Sequence, residues 1–123
     1  MPEGLIIISV KLKGCRGKHD EIEKRQQAYI ENKKKTQPNQ IKTCGSTFKN
    51  ISEDKKAWML IKQSGCENYK EGDAAISQKH CNFFVNNGNA KSSDIENLIK
   101  KVKQRVFERT GENLELEIKI IGE

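Results

Sequence analysis

The last thirty residues of the chain constrain its fold most, because two different hydrophobic periods follow one another there. Ile95, Leu98, Ile99, Val102, Val106 and Phe107 recur at the spacing of one helical face. Ser93 and Glu96 form an S-x-x-E capping box at the start of this helix, and Gly111 ends it. Leu114, Leu116, Ile118 and Ile120 then alternate with Glu115, Glu117 and Lys119, which predicts a strand with one core face and one polar face. A helix with one apolar stripe and a strand with one apolar side each need a covering layer.

The remaining segments supply that layer. Ile6, Ile8, Val10 and Leu12 fall at period two, with Leu5, Ile7, Ser9, Lys11 and Lys13 on the opposite face, and predict a first strand. Residues 18 to 35 are rich in helix formers, with a narrow apolar stripe at Ile22, Ala28, Tyr29 and Ile30, and end in Lys33, Lys34 and Lys35. Residues 37 to 45 read as a loop, Pro38 forbidding helix continuation. A second helix is predicted over 53 to 64, with Ser52 as N-cap, Ala57, Trp58 and Ile61 as its core face, and Gly65 as its stop. Residues 74 to 86 read as strand, most clearly from Cys81 to Val85, followed by a turn at Asn86 to Asn89; at least one of Phe83 and Phe84 belongs in the core. This order predicts an α+β fold, a small α/β sandwich with a mixed or antiparallel sheet and about three helices.

With 123 residues the chain is expected to form a single domain, residues 1–123. Hydrophobic residues make up 34% and charged residues 33%, so the core is thin. No apolar run, Leu5 to Ile8 included, approaches the roughly 18 residues of a membrane span. Met1-Pro2-Glu3 has neither a basic nor an apolar leader region, and the reading places the protein in the cytoplasm without membrane attachment. Cys15, Cys44, Cys66 and Cys81 include no C-x-x-C pair, so they are expected as reduced thiols, and no metal site is expected. The net charge of +6 comes from the first half: residues 1 to 63 hold 14 basic and 7 acidic side chains, the rest 9 and 10. Such a surface suits a phosphorylated ligand, a nucleic acid or plain solubility.

Three short stretches are dense in polar groups: Gly45-Ser46-Thr47-Phe48-Lys49-Asn50, Ser77 to Phe83, and the polar face Glu115, Glu117 and Lys119. Cys44 to Asn50 resembles the G-S-x-F-K-N-P motif of the UDP-N-acetylenolpyruvoylglucosamine reductases, the MurB family, also called UDP-N-acetylmuramate dehydrogenases. Further matches follow in that family's order: Ala57-Trp58 with Leu60-Ile61 and Gly65, Ser77-x-Lys79-His80-x-Asn82-Phe83 with Val85-Asn86 and Gly88, and Leu114-Glu115-x-Glu117-Ile118-Lys119-x-Ile121-Gly122. The Gln37-Pro38 pair also fits, whereas Ile51 replaces the proline usual after K-N.

The resemblance covers essentially the whole chain but only the C-terminal, substrate-binding part of the family. It implies an oxidoreductase of peptidoglycan synthesis, in which NADPH reduces FAD and hydride passes to the enolpyruvyl group of UDP-N-acetylglucosamine enolpyruvate. By this likeness Ser46 is the proton-donating catalytic serine and Glu117 assists at the substrate carboxylate. Both Glu115 and Glu117 lie on one face of the strand, and only the motif favours Glu117. Asn50, Lys49, His80 and Asn82 are implied as substrate-binding, and a diphosphate would suit the lysine-lined loop from Lys35 to Lys42. No glycine-rich FAD segment is present, and Gly14-Cys15-Arg16-Gly17 is not one. The N-terminal FAD-binding domains are therefore expected on another part of the same protein or on a separate chain. The chain alone is expected to bind no FAD or NADPH and to be inactive, as a cloned fragment, the product of a split or mis-started gene, or a subunit. The alternatives are an inactive remnant or a small basic RNA-binding module. Against the latter, the seven aromatics form no RNP-like pattern and no nucleic acid partner is expected.

Overall fold

The structure, a computed structural model, describes residues 6–122. Its contacts divide the chain between Glu31 and Asn32 into two units. In the first, residues 6–18 adopt no regular structure, and the expected first strand is not formed among the described residues; Leu5 lies outside them. Ile8 is 93% exposed and Val10 70%. Alternation provides an apolar face, but an extended segment also needs a neighbour for its N–H and C=O groups, and the described residues of this unit include no second strand. The helix α1, His19–Thr36, forms as predicted, with Asp20 and Glu21 in its first turn and Lys33, Lys34 and Lys35 in its last. Its expected buried stripe is absent, since none of its residues is buried.

The second unit contains the sheet and the core. Four strands, β1 (Lys42–Ser46), β2 (Lys70–Glu71), β3 (Ala74–Ile76) and β4 (Phe83–Asn86), are ordered β1-β4-β3-β2. Every pairing is antiparallel. Helices α2 (Ala57–Gln63) and α3 (Ser92–Thr110) complete an α+β fold, with α3 in contact with β2, β3 and α2. Leu98, Ile99, Val102 and Val106 of α3 meet Ile76 and Phe84 of the sheet and Ala57, Leu60 and Ile61 of α2 in one core. Phe48 joins them and packs edge-on to Phe84, with ring centroids 5.8 Å apart.

Several boundaries differ from expectation for identifiable reasons. The α3 cap is Lys91, whose backbone N–H donates to the Asp94 carboxylate at 2.9 Å, so Ser93 and Glu96 are already helical. Phe107 lies beyond the buried stripe and is 52% exposed. Helix α2 starts at Ala57, not 53, because Lys55 turns the preceding chain: its carbonyl accepts the Ile51 and Ser52 N–H groups, and its own N–H donates to the Ser52 hydroxyl. Part of the expected 37–45 loop is β1. The strand read over 74–86 is two strands, joined by a loop closed where the Ser77 N–H meets the Phe83 carbonyl at 2.8 Å. Both Phe83 and Phe84 are buried.

The C-terminal alternation is realised only in part. Leu116 bridges Phe48 in an antiparallel pair, flanked by the Lys49 N–H to the Glu115 carbonyl and the Glu117 N–H to the Thr47 carbonyl, both 2.9 Å. Leu114 is buried, whereas Ile120 is exposed. On the other side β1 carries a β-bulge. Thr43 opposes Val85 and Ser46 opposes Phe83, so Cys44 and Gly45 together face Phe84, with Gly45 at φ +87°.

Candidate functional site

The stretch from Gly45 to Asn50 lies between two neighbours. On one side is the C-terminal segment, through the Phe48–Leu116 bridge. On the other is the loop before β4, where the Thr47 N–H donates to the Asn82 carbonyl at 2.8 Å. The buried Asn82 side chain continues this attachment: its Oδ1 accepts the Phe48 N–H at 2.9 Å and its Nδ2 donates to the Phe48 carbonyl at 2.8 Å. One carboxamide thus does what the next residue of a paired strand would do.

This arrangement encloses a cavity of about 430 Å³ lined by Ser46, Phe48, Lys49, Asn50, Lys56, Trp58, His80, Asn82 and Glu117. All six residues singled out from the sequence, Ser46, Glu117, Asn50, Lys49, His80 and Asn82, therefore meet at one place although they come from three separated segments. Glu115, which shares their strand face with Glu117, stands outside this cavity and approaches the Lys49 ammonium at 3.4 Å. Lys35 and Lys42 do not line the cavity; its cations are Lys49 and Lys56.

Each group has a local reason for its position. The bulge places Ser46, half-buried, opposite Phe83. Asn50 ties its loop to the start of α2, its Oδ1 accepting the Ala57 N–H at 3.1 Å, so Ile51 in place of a proline does not leave this residue unanchored. Asn82 is 3% exposed and its amide is engaged with Phe48, which makes it the support of the loop as well as part of the wall. His80 accepts the Asn82 N–H at Nδ1, 3.3 Å, which leaves the proton of the neutral ring on Nε2. The ring lies edge-on to Phe83, centroids 4.9 Å apart, and tilted toward Trp58 at 6.3 Å. Burial holds the His80 imidazole below its ordinary pKa of 6.5.

Three lining residues are not site residues in the sequence reading: Phe48, which is buried in the core, Trp58 and Lys56. Trp58 was assigned to the core face of its helix; Ala57, Leu60 and Ile61 fill that face, and Trp58, 38% exposed, lies on the cavity side. Lys56 is the N-cap of α2 and was read as an ordinary helix residue. The signal for Trp58 is the step of about 100° per helical residue, which sets it at the edge of the face formed by Ala57, Leu60 and Ile61.

A larger cleft, 540 Å³, lies at the far edge of the sheet against α3 and is lined by Lys70, Lys101, Arg105 and their neighbours. Lys101 there is bound to Glu71 at 2.6 Å and Arg105 lies 3.8 Å from Glu108, so its cations are largely matched. The smaller cavity is the one that unites a hydroxyl, a carboxylate, an amide and an imidazole. Among the described residues no three metal-ligating side chains are grouped, and no helix is long and apolar enough to cross a membrane.

Residues 37–121 match the family model described as the UDP-N-acetylenolpyruvoylglucosamine reductase C-terminal domain. The UDP-N-acetylenolpyruvoylglucosamine reductase of Pelagibacter ubique is 47% identical over 123 residues, covering 98% of this chain and 41% of that protein. The protein of the same name from Paramagnetospirillum magneticum is 43% identical over 122 residues, 99% of this chain and 39% of that protein. The chain therefore spans about two fifths of the length of these relatives. The crystal structure of UDP-N-acetylenolpyruvylglucosamine reductase from Thermus caldophilus superposes with a TM-score of 0.67 at 35% identity, covering 85% of this chain and 36% of that one.

Proposed function

The chain belongs to the UDP-N-acetylenolpyruvoylglucosamine reductase family, matching its C-terminal domain, and from that premise we propose that it is the substrate-binding, proton-donating domain of an FAD-dependent, NADPH-using reductase that converts UDP-N-acetylglucosamine enolpyruvate to UDP-N-acetylmuramate in the cytoplasm. The observation that carries this reading is the convergence of Ser46 and Glu117 on one cavity with Asn50, Lys49 and His80. In this reading FAD is held by FAD-binding domains of the same or a separate chain, since the wall formed here offers polar groups suited to a carboxylate-bearing substrate.

A flavin bound by those other domains and reduced by NADPH would supply hydride to the enolpyruvyl methylene carbon. That addition leaves carbanion character on the carbon beside the carboxylate, and the rest of the chemistry falls to this domain. Ser46 gives its hydroxyl proton to that carbon; the hydroxyl is a weak acid in water but competent when held in contact with a strongly basic centre. Glu117 lies at the same cavity and assists at the carboxylate, while Lys49 and Lys56 bring positive charge to the anionic substrate. Asn50 is held by α2 with Nδ2 left over for the ligand. His80 offers Nε2–H as a neutral donor.

The test is Ser46→Ala in a complete enzyme containing this domain. Substrate should still reoxidise the reduced flavin, whereas protonated product should fail to form at the normal rate; unchanged turnover would remove Ser46 from the mechanism. The isolated chain should be colourless and should not oxidise NADPH in the presence of the enolpyruvyl substrate. A yellow, active 123-residue preparation would refute the assignment of the flavin to other domains.

A further inference from the structure

Trp58 is the sole tryptophan of the chain, and it stands on the wall of the Ser46 cavity although its own helix buries Ala57, Leu60 and Ile61. An indole left 38% exposed forgoes part of its apolar burial, and large aromatics in such positions recur where flat ligands are held. The surroundings are specific. His80 lies 6.3 Å from Trp58 and is braced edge-on by Phe83, and its proton is committed to Nε2, so the second ring is neutral and fixed. Lys56, half-buried, precedes Trp58 by two residues and lines the same cavity, as does Lys49. A flat π-surface in a wall that also carries two lysines, with the Lys49 ammonium 3.4 Å from Glu115, fits a planar heterocycle carrying phosphates.

Building on the proposed function, we infer that Trp58 is the stacking platform for the nucleobase of a nucleoside diphosphate and that Lys56 takes its phosphates. The uridine end of the substrate then lies along α2, while the sugar and enolpyruvyl group extend toward Ser46 and Glu117. Trp58 is a specificity residue in this arrangement, and it touches no reacting atom.

The indole N–H of the single tryptophan gives one nitrogen–proton NMR signal, and the experiment follows it in the full 123-residue chain. UDP should move that signal and quench the tryptophan fluorescence. Inorganic pyrophosphate at the same concentration should perturb backbone amides near Lys49 and Lys56 and leave the indole in place. Trp58→Leu should weaken UDP binding by about five- to 150-fold, the range for losing one base–aromatic stack, and Trp58→Phe should recover most of it. Amide spectra with native dispersion establish that both variants are folded. If UDP perturbs the amides of Ser46 and Asn50 while the indole is unmoved and Trp58→Leu binds equally well, the platform is refuted and the proposed function stands. An equal indole shift with pyrophosphate alone also refutes stacking. Failure of UDP to bind at millimolar concentration overturns both.

Discussion

Substituting Asn82 with alanine should destabilise the domain far more than a small polar residue beside a cavity would suggest. Its carboxamide makes two hydrogen bonds to the Phe48 backbone, at 2.9 and 2.8 Å. The partners of that backbone on its other side are already fixed, because the Leu116 bridge is flanked by bonds from Thr47 and Lys49, not from Phe48. Losing the amide therefore removes two net bonds, about 2 kcal/mol if water from the adjacent cavity replaces them. If the Phe48 N–H and C=O stay dry, the added desolvation penalty takes the loss to about 4 kcal/mol or more. Urea unfolding followed by far-UV circular dichroism and by Trp58 fluorescence measures it. Asn82→Asp sharpens the test. A protonated carboxyl can accept from one Phe48 group and donate to the other, whereas a carboxylate can only accept and would sit buried without a partner cation. Burial raises the folded pKa of such a group, so its contribution is fully present below the unfolded carboxyl value and is lost as pH rises through the folded one. The aspartate variant should therefore recover stability in acid relative to the alanine variant. A loss under about 1 kcal/mol for Asn82→Ala, or an aspartate variant as stable as the parent at neutral pH, would refute the reasoning.

Three further outcomes follow from burial. The His80 imidazole is held below 6.5 by desolvation, so its contribution to stability is present above that pH and is lost as pH falls through the lower folded value; proton NMR titration of the ring, with His80→Gln flattening the acid limb of the stability profile, checks this. Burial pushes the Cys66 thiol up to about 11, so a thiol reagent at pH 8 should label the exposed Cys15 and Cys44 rapidly and Cys66 only after unfolding. Leu98→Ala should cost about 2 to 5 kcal/mol by leaving a cavity between α3 and the sheet, measured by the same urea titration.

The parts of the molecule readable from sequence are those whose signal is local. The α3 stripe and the stop at Gly111 follow from residue period and from one glycine, which takes φ +73°. The gathering of Ser46, Asn50, His80 and Glu117 was legible only through family motifs, because no periodicity connects residues 71 positions apart. Trp58 lies about 100° round the helix from Ala57 but only about 60° from Ile61, so residue period leaves it at the edge of the apolar stripe, and the structure puts it on the cavity wall. From residue pattern alone Asn82 reads as one polar residue within the strand expected over 74–86; its structural duty toward Phe48 spans 34 positions and leaves no sequence period. The Ile6 to Leu12 alternation shows the converse, an unmistakable pattern without a strand, since pairing is a property of two segments.

The bulge in β1 gives the site an unusual tolerance to mutation, in which losing a residue is milder than changing one. Two residues, Cys44 and Gly45, occupy the space opposite Phe84, and Ser46 meets Phe83 only because of that surplus. Deleting Cys44 would return the count to one against one and leave Ser46 where it is. Replacing Gly45 with a β-branched residue would instead strain a backbone at φ +87°, by about 1 to 2 kcal/mol. The strand could relieve that strain by flattening, and the next residue would then come to face Asn82, turning the hydroxyl to the opposite side of the sheet. The glycine of this motif thus acts as a spacer, setting by simple counting which side of the sheet carries the Ser46 hydroxyl.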